Sequence, residues 1–193
     1  MFKLSIFSSF SFLLLLLTII SCNPIKELIH GPTFDLVPKI TPKPGRIYPN
    51  IIDSQLGNRV DSLILVLHFE DGDGDLGLSS DDRETNPHFR QYNPDGSENK
   101  YWYNYFAKAY RKVNGQFVEV IIGAKSVTYS GAFPPLKADG KPGPIEGDLE
   151  YSIYYPLKST PANDTVRFEI QLVDRALNES NIILTEPMIV NRK

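Results

Sequence analysis

Short apolar runs that alternate with period two, turn-forming pairs between them and the lack of helical periodicity along the chain predict an all-β fold, an antiparallel sandwich of about seven strands. Residues 60–69 (VDSLILVLHF) give the strongest strand signal. Leu63, Leu65, Leu67 and Phe69 fall on one face, while Ile64 and Val66 make the other face apolar too, which predicts a central strand. His68 shares that second face, where a lone histidine is expected to be packed or partly exposed rather than a metal ligand. Residues 79–100 read as a polar loop. Residues 101–113 read as a long strand, and Asn114-Gly115 predicts a type I′ turn that pairs it antiparallel with residues 116–122. A short strand is expected at 126–129, followed by a proline- and glycine-rich connection over 133–147. Residues 149–155 and 166–172 alternate cleanly, and Pro187 marks residues 182–190 as an edge or bulged strand.

This strand count, with one long crossover and no disulfide, predicts immunoglobulin- or fibronectin-III-like connectivity. Taking residues 60–69 as strand B and 166–173 as strand F places the loops that follow them at the same end of the sandwich. The first loop is FEDGDGDLGL at 69–78, where Asp71, Asp73 and Asp75 supply hard oxygen ligands on a flexible backbone, the chemistry calcium requires. It is not an EF-hand, because the sixth position is Leu76 rather than glycine and the twelfth is Asp82 rather than glutamate. The alternative is an aspartate turn whose carboxylates only cap their own backbone. The second loop contributes Asp174 as a further expected ligand and Asn178 as a weaker one. Alternatively, Arg175 pairs with an aspartate of the first loop and the junction is a salt bridge. Calcium is the expected cofactor.

The beginning of the chain bears on its compartment. Lys3 precedes an apolar stretch at 10–20 with five consecutive leucines, and Ile19-Ile20-Ser21-Cys22 closes it, so residues 1–21 read as an export signal too short for a comfortable membrane span. The end of this segment resembles the lipobox of bacterial lipoproteins. That resemblance implies cleavage before Cys22, the only cysteine, and acylation of its side chain and new N-terminus, an anchor stronger than a single acyl chain. Residues 22–49, with prolines at 24, 32, 38, 42, 44 and 49, read as an extended tether, and residues 50–193 as the sandwich domain. Alternatively, the stretch around 44–52 lies along the domain as its first, edge strand. The net charge of −3 becomes one unit more negative once Lys3 is removed, and no basic run occurs, so nucleic acid is not an expected partner.

The lipobox, the proline-rich tether, the FEDGDGDLGL run after a strand and the LVDRALNES run after the penultimate strand resemble uncharacterised lipoproteins of Bacteroidota that carry an immunoglobulin-like domain. This resemblance implies an outer-membrane location, periplasmic or surface-facing, and no known activity. The expected function is therefore a lipid-anchored structural or binding module with calcium at one end, and an envelope protein or glycan as its partner. A second reading is a glycan-binding accessory lipoprotein of a nutrient-uptake system. In that reading, Tyr101, Tyr103 and Tyr105 share one face of a strand as a stacking platform, with Trp102 and Phe106 turned towards the core. A third is a small metal-dependent hydrolase built on the acidic loop. Phosphate-binding loops, nucleophile elbows and metalloprotease motifs are lacking, and the carboxylate groups Asp81-Asp82 and Glu146/Asp148/Glu150 read as solvated, so an enzyme is not expected. The anchor is tested by Cys22→Ser, which is expected to leave the protein unacylated and shifted out of the membrane fraction. Unchanged mass and membrane partition would refute it.

Overall fold

A computed structural model describes residues 33–55, 57–122, 125–137, 139–158 and 160–193. The expected signal 1–21, Cys22 and the first part of the expected tether lie outside them. Strands follow in chain order as β1 (Lys39–Ile52), β2 (Arg59–Asp71), β3 (Tyr105–Val113), β4 (Gln116–Glu119), β5 (Ile121–Ile122), β6 (Lys125–Ser126), β7 (Ile145–Pro156), β8 (Asp164–Leu172), β9 (Ile183–Leu184) and β10 (Met188–Val190). One short helix, α1 (Ser80–Thr85), lies between β2 and β3. One sheet has the order β1-β2-β7 and the other β10-β8-β3-β4, with β9 also on β8 and β5 paired with β6 apart from both. All pairings are antiparallel. Reading β1, β2 and β7 as strands A, B and E, and β3, β8 and β10 as C, F and G, gives the immunoglobulin-type division of strands, with β4 added outside C.

The core lies between the sheets. β2 turns Leu63, Leu65, Leu67 and Phe69 inward against Val166, Phe168, Ile170 and Leu172 of β8, as both alternations predict. Removing any of these side chains creates a cavity, at about 2–5 kcal/mol for truncation to alanine. The outer face of β2 is apolar for a different reason. Val66 is paired in register with Lys43 on one side and Glu150 on the other. Lys43 bonds Asp148 and Arg46 bonds Glu150, each at 2.6 Å, so ion-paired side chains with long aliphatic stems lie over this sheet face. His68 joins the same row, its Nδ1 2.9 Å from Asp148 Oδ1.

Three stretches depart from expectation. β1 begins at Lys39, so the alternative of an edge strand around 44–52 holds and the strand extends back through 39–43, expected in the tether. Its prolines are tolerated because an edge strand bonds on one side only and its pairing shifts register between Lys43 and Arg46 and again between Tyr48 and Ile51. The polar stretch after β2 holds α1, whose start is a capping box in which Ser79 accepts from the Asp82 N–H and Asp82 accepts from the Ser79 N–H. Six residues are too few to show a periodicity.

The third departure is the aromatic run. Asn99 accepts from the Tyr101 N–H at 3.0 Å and donates from its amide to the carbonyls of His88 and Arg90, each at 2.8 Å. These bonds fold 100–102 into a 3₁₀ turn, and the strand starts only at Tyr105. Local side-chain bonding therefore overrides strand propensity and breaks the expected alternation. Tyr105 faces the core and stacks on Tyr151 at 4.3 Å, whereas Phe106 points outward, the reverse of the expected facing.

The turn between β3 and β4 is as predicted, but the pairing stops at Glu119, and Ile121–Ile122, expected in the same strand, pair with β6. Val113 pairs with Gln116, and both Asn114 (φ 50°) and Gly115 (φ 84°) take left-handed backbone. A Cβ at Gly115 would meet no atom within 4 Å, so a substitution acts through backbone conformation alone. Gly115→Val is expected to destabilise the fold by about 1–3 kcal/mol in equilibrium denaturation, the cost of a strained φ. Unchanged stability would refute this account of the turn.

Candidate metal centre

The acidic loop is shaped by backbone bonds made before any ligand is considered. Asp71 is the last residue of β2 and is paired with Ile145 of β7. From there the Gly72 N–H donates to the Asp35 carbonyl at 2.9 Å, and the Asp73 carbonyl accepts from the Gly143 N–H at 2.8 Å. The Leu76 carbonyl accepts from Leu136 at 3.1 Å, and the Leu78 N–H donates to the Phe133 carbonyl at 3.0 Å. The loop is thus sewn to the crossover over residues 133–143. This close approach requires glycine at 74, where φ is +74° and a Cβ would sit 2.2 Å from the Gly143 carbonyl oxygen. Leu76, fully buried, anchors the turn from below.

Asp174 arrives from the loop after β8. Its two carboxylate oxygens accept from the Asn178 backbone N–H at 2.7 Å and side-chain amide at 2.8 Å. Asn178, expected as a weak ligand, instead orients the Asp174 carboxylate. Each Asp174 oxygen retains a lone pair. Asp71, Asp73, Asp75 and Asp174 then bring one carboxylate oxygen each within 4.8 Å of one another. Opposite ligands of a calcium ion stand about 4.6–5.2 Å apart, twice the usual bond length, so one such ion spans the group.

The surroundings offer these carboxylates little compensation. One oxygen each of Asp71, Asp73 and Asp75 is buried with no hydrogen-bond partner, and Asp71 as a residue is completely buried. Its other oxygen accepts one long bond, from Leu76 at 3.3 Å. Among the described residues no ion pair within 4 Å reaches the four carboxylates; the Arg175 guanidinium donates to the Gly77 carbonyl at 3.3 Å and lies 3.6 Å from Asp82, and the Arg175 backbone N–H and charge only partly offset what raises Asp75. A depression of about 280 Å³ outside the loop is lined by Asp73 and Asp75 together with Lys137, Lys141 and Arg175. The Lys137 ammonium is held there by the Gly143 carbonyl at 3.1 Å.

Burial, then the Asp73 charge, pushes the Asp71 carboxyl up to about 7. Burial, then the charges of Asp174 and Asp73, brings Asp75 up to about 6, and burial also raises Asp174 against the lowering effect of Asn178. The donor set is all carboxylate, which suits calcium, magnesium or manganese rather than zinc or copper.

The other candidate residues are dispersed. Tyr101 is half-buried with its hydroxyl donating to Glu179 at 3.0 Å, Tyr103 is exposed and Tyr105 is in the core, so the three do not form a platform. Asp82 is committed to the helix cap, and Asp148 and Glu150 to ion pairs. Asn104 had no sequence signal: completely buried, it accepts from the Phe133 N–H and donates to the Phe133 carbonyl, both at 3.0 Å, and so fixes the crossover from its other side. The supporting role of Asn178 had no sequence signal, since the usual Asx-turn reaches two residues along the chain and this bond reaches four. Comparison with known proteins finds no family model, no curated protein and no solved structure that matches this chain.

The raised carboxyls fix a pH dependence. Between 3.8 and about 7 the folded protein keeps an Asp71 proton that the unfolded chain has lost, so this site's contribution to stability falls as pH rises through that window. In chelator, Asp71→Asn is therefore expected to gain stability relative to the parent as pH rises across it, measured by urea denaturation. Calcium, which needs ionised ligands, is expected to reverse that order at the upper end. A stability difference independent of pH and calcium would refute the assignment.

Proposed function

We propose that this chain is a lipid-anchored module of the cell envelope, a structural or binding protein whose β-sandwich is clamped at one end by calcium. The observation that carries the clamp is the convergence of Asp71, Asp73, Asp75 and Asp174 with three buried oxygens lacking partners. A buried carboxylate without a donor is costly, and a divalent cation satisfies several at once. The anchor is supported by the apolar sequence ending at Cys22 and by the proline-containing sequence that follows it.

Calcium is favoured over magnesium because a glycine-spaced loop adapts to an irregular coordination sphere, while magnesium demands a tight octahedron and gives up its waters reluctantly. Outside the cytoplasm a weak site suffices, with a Kd on the order of 10⁻⁴–10⁻³ M as in other extracellular modules. At a hundredfold excess over Kd, binding to the folded state alone adds about 2.7 kcal/mol. That is a large share of a net stability of about 5–15 kcal/mol.

Calcium is accordingly expected to raise the melting temperature well above that in chelator, with magnesium less effective. Asp73→Asn and Asp174→Asn are each expected to reduce the difference. Identical melting in millimolar calcium and in chelator would overturn the clamp. Metal-dependent turnover of a substrate lost in Asp73→Asn would replace it with a hydrolase.

A further inference from the structure

Beside β3, in the plane of the second sheet, the residues after β6 run antiparallel to it. Tyr129 donates to the Ala107 carbonyl at 2.7 Å, and bridges link Lys108 with Thr128 and Tyr105 with Gly131. Tyr129 therefore packs against the core, and its neighbours Thr128 and Ser130 share the outer face with Phe106. The excursion between α1 and β3 folds back above this strip. It leaves a cleft of about 310 Å³ with Thr128, Ser130 and Phe106 on one side and Gln91, Glu98, Trp102 and Tyr103 on the other.

The walls are held rigid by the bonds of Asn99 and by Asn104, which grips Phe133. Trp102 is braced by the Arg83 guanidinium, 4.6 Å from the ring centroid, within the separate groove that also contains Leu78 and Phe133. Its other side lines the cleft. Tyr103 stays 40% exposed, and among the described residues no ring stacks on it, so an aromatic face is kept at the cleft mouth.

We propose that this cleft binds a short neutral saccharide. A pyranose ring presents C–H groups on its faces and hydroxyls around its rim. The cleft answers with three aromatic rings and, beside them, the amide of Gln91, the hydroxyls of Thr128 and Ser130 and the carboxylate of Glu98. The lining carries one cation and one carboxylate, Lys100, which is ion-paired with Glu179 and lies over the rings of Phe106 and Tyr101, and Glu98, a balance that favours a neutral ligand over a charged one. A cleft of this volume stands at the lower end of the range for small-molecule sites, and its preformed walls lower the ordering cost of binding. The proposal does not rest on the metal, whose ligands are not among the cleft residues.

The test uses the full chain in detergent with calcium present, screened against an array of neutral and acidic oligosaccharides. Trp102 is the only tryptophan, so its emission reports the cleft directly. Neutral oligosaccharides bound on the array are expected to shift that emission saturably. Tyr103→Ala is expected to weaken binding about tenfold or more at unchanged melting temperature, since Tyr103 is exposed. Gln91→Ala, also exposed, is expected to weaken it without altering the fold. The proposal is overturned by any of four results: no neutral saccharide changes the emission at millimolar concentration, acidic sugars bind better than neutral ones, binding survives both substitutions, or extended peptides but not sugars give the Tyr103-dependent shift. Repeating a positive titration in chelator separates the two readings, because binding there preserves the cleft even if melting shows no calcium effect.

Discussion

Mutual repulsion among Asp71, Asp73, Asp75 and Asp174 is the constraint on which one end of the sandwich depends. At 4 Å and an effective dielectric near 20, a like-charge pair costs about 4 kcal/mol, so a few such pairs rival the whole net stability of a domain. Protons or a cation must offset it. The consequence reaches beyond four side chains, because the same loop backbone holds the crossover through Asp73 to Gly143, Leu76 to Leu136 and Leu78 to Phe133.

Another buried aspartate shows how the fold treats a carboxylate used only for structure. Asp61, in β2 and almost fully buried, accepts from the Asn50 N–H at 2.8 Å with one oxygen and from the Asn191 N–H at 2.7 Å with the other. It ties β1 and the segment after β10 to β2. Both oxygens are satisfied by backbone donors. Asp71 lies on the same strand with the same chemistry available, yet it has one long bond, one orphan oxygen and two acidic neighbours in its own loop. The difference between these two sites is what favours a ligand at the second over a capping role.

Both proposed binding features arise from segments that leave the sheets and return. Residues 72–104 supply two of the four candidate metal ligands, Asp73 and Asp75, with the braced Trp102 and Tyr103, while Thr128 and Ser130 supply the floor of the cleft and Phe133, Leu136 and Gly143 hold the acidic loop. Asn104 and Phe133 lie where the two excursions meet, joined by a reciprocal pair of hydrogen bonds. The sandwich acts as a frame, to whose core these loops contribute Leu76, with Tyr129, Phe133 and Leu136 packed against it.

The sequence by itself determined the elements whose signal is local and periodic. The alternation of β2 and β8, the Asn114-Gly115 turn and the three-aspartate spacing each depend on residues within a few positions of one another. The meeting of Asp174 with the first loop was also legible, because strand connectivity places two named loops at one end. Only the tertiary structure decided where local bonding overrides propensity. Asn99 reaches back to His88 and Arg90 and folds the aromatic run into a turn, so Tyr105 enters the core and Phe106 the cleft, a reversal that no alternation pattern contains. An edge strand around 44–52 was legible as an alternative, but the start of β1 at Lys39 was hidden for the same kind of reason. Its prolines argue against a strand, and the edge position and register shifts that admit them exist only once β2 is in place.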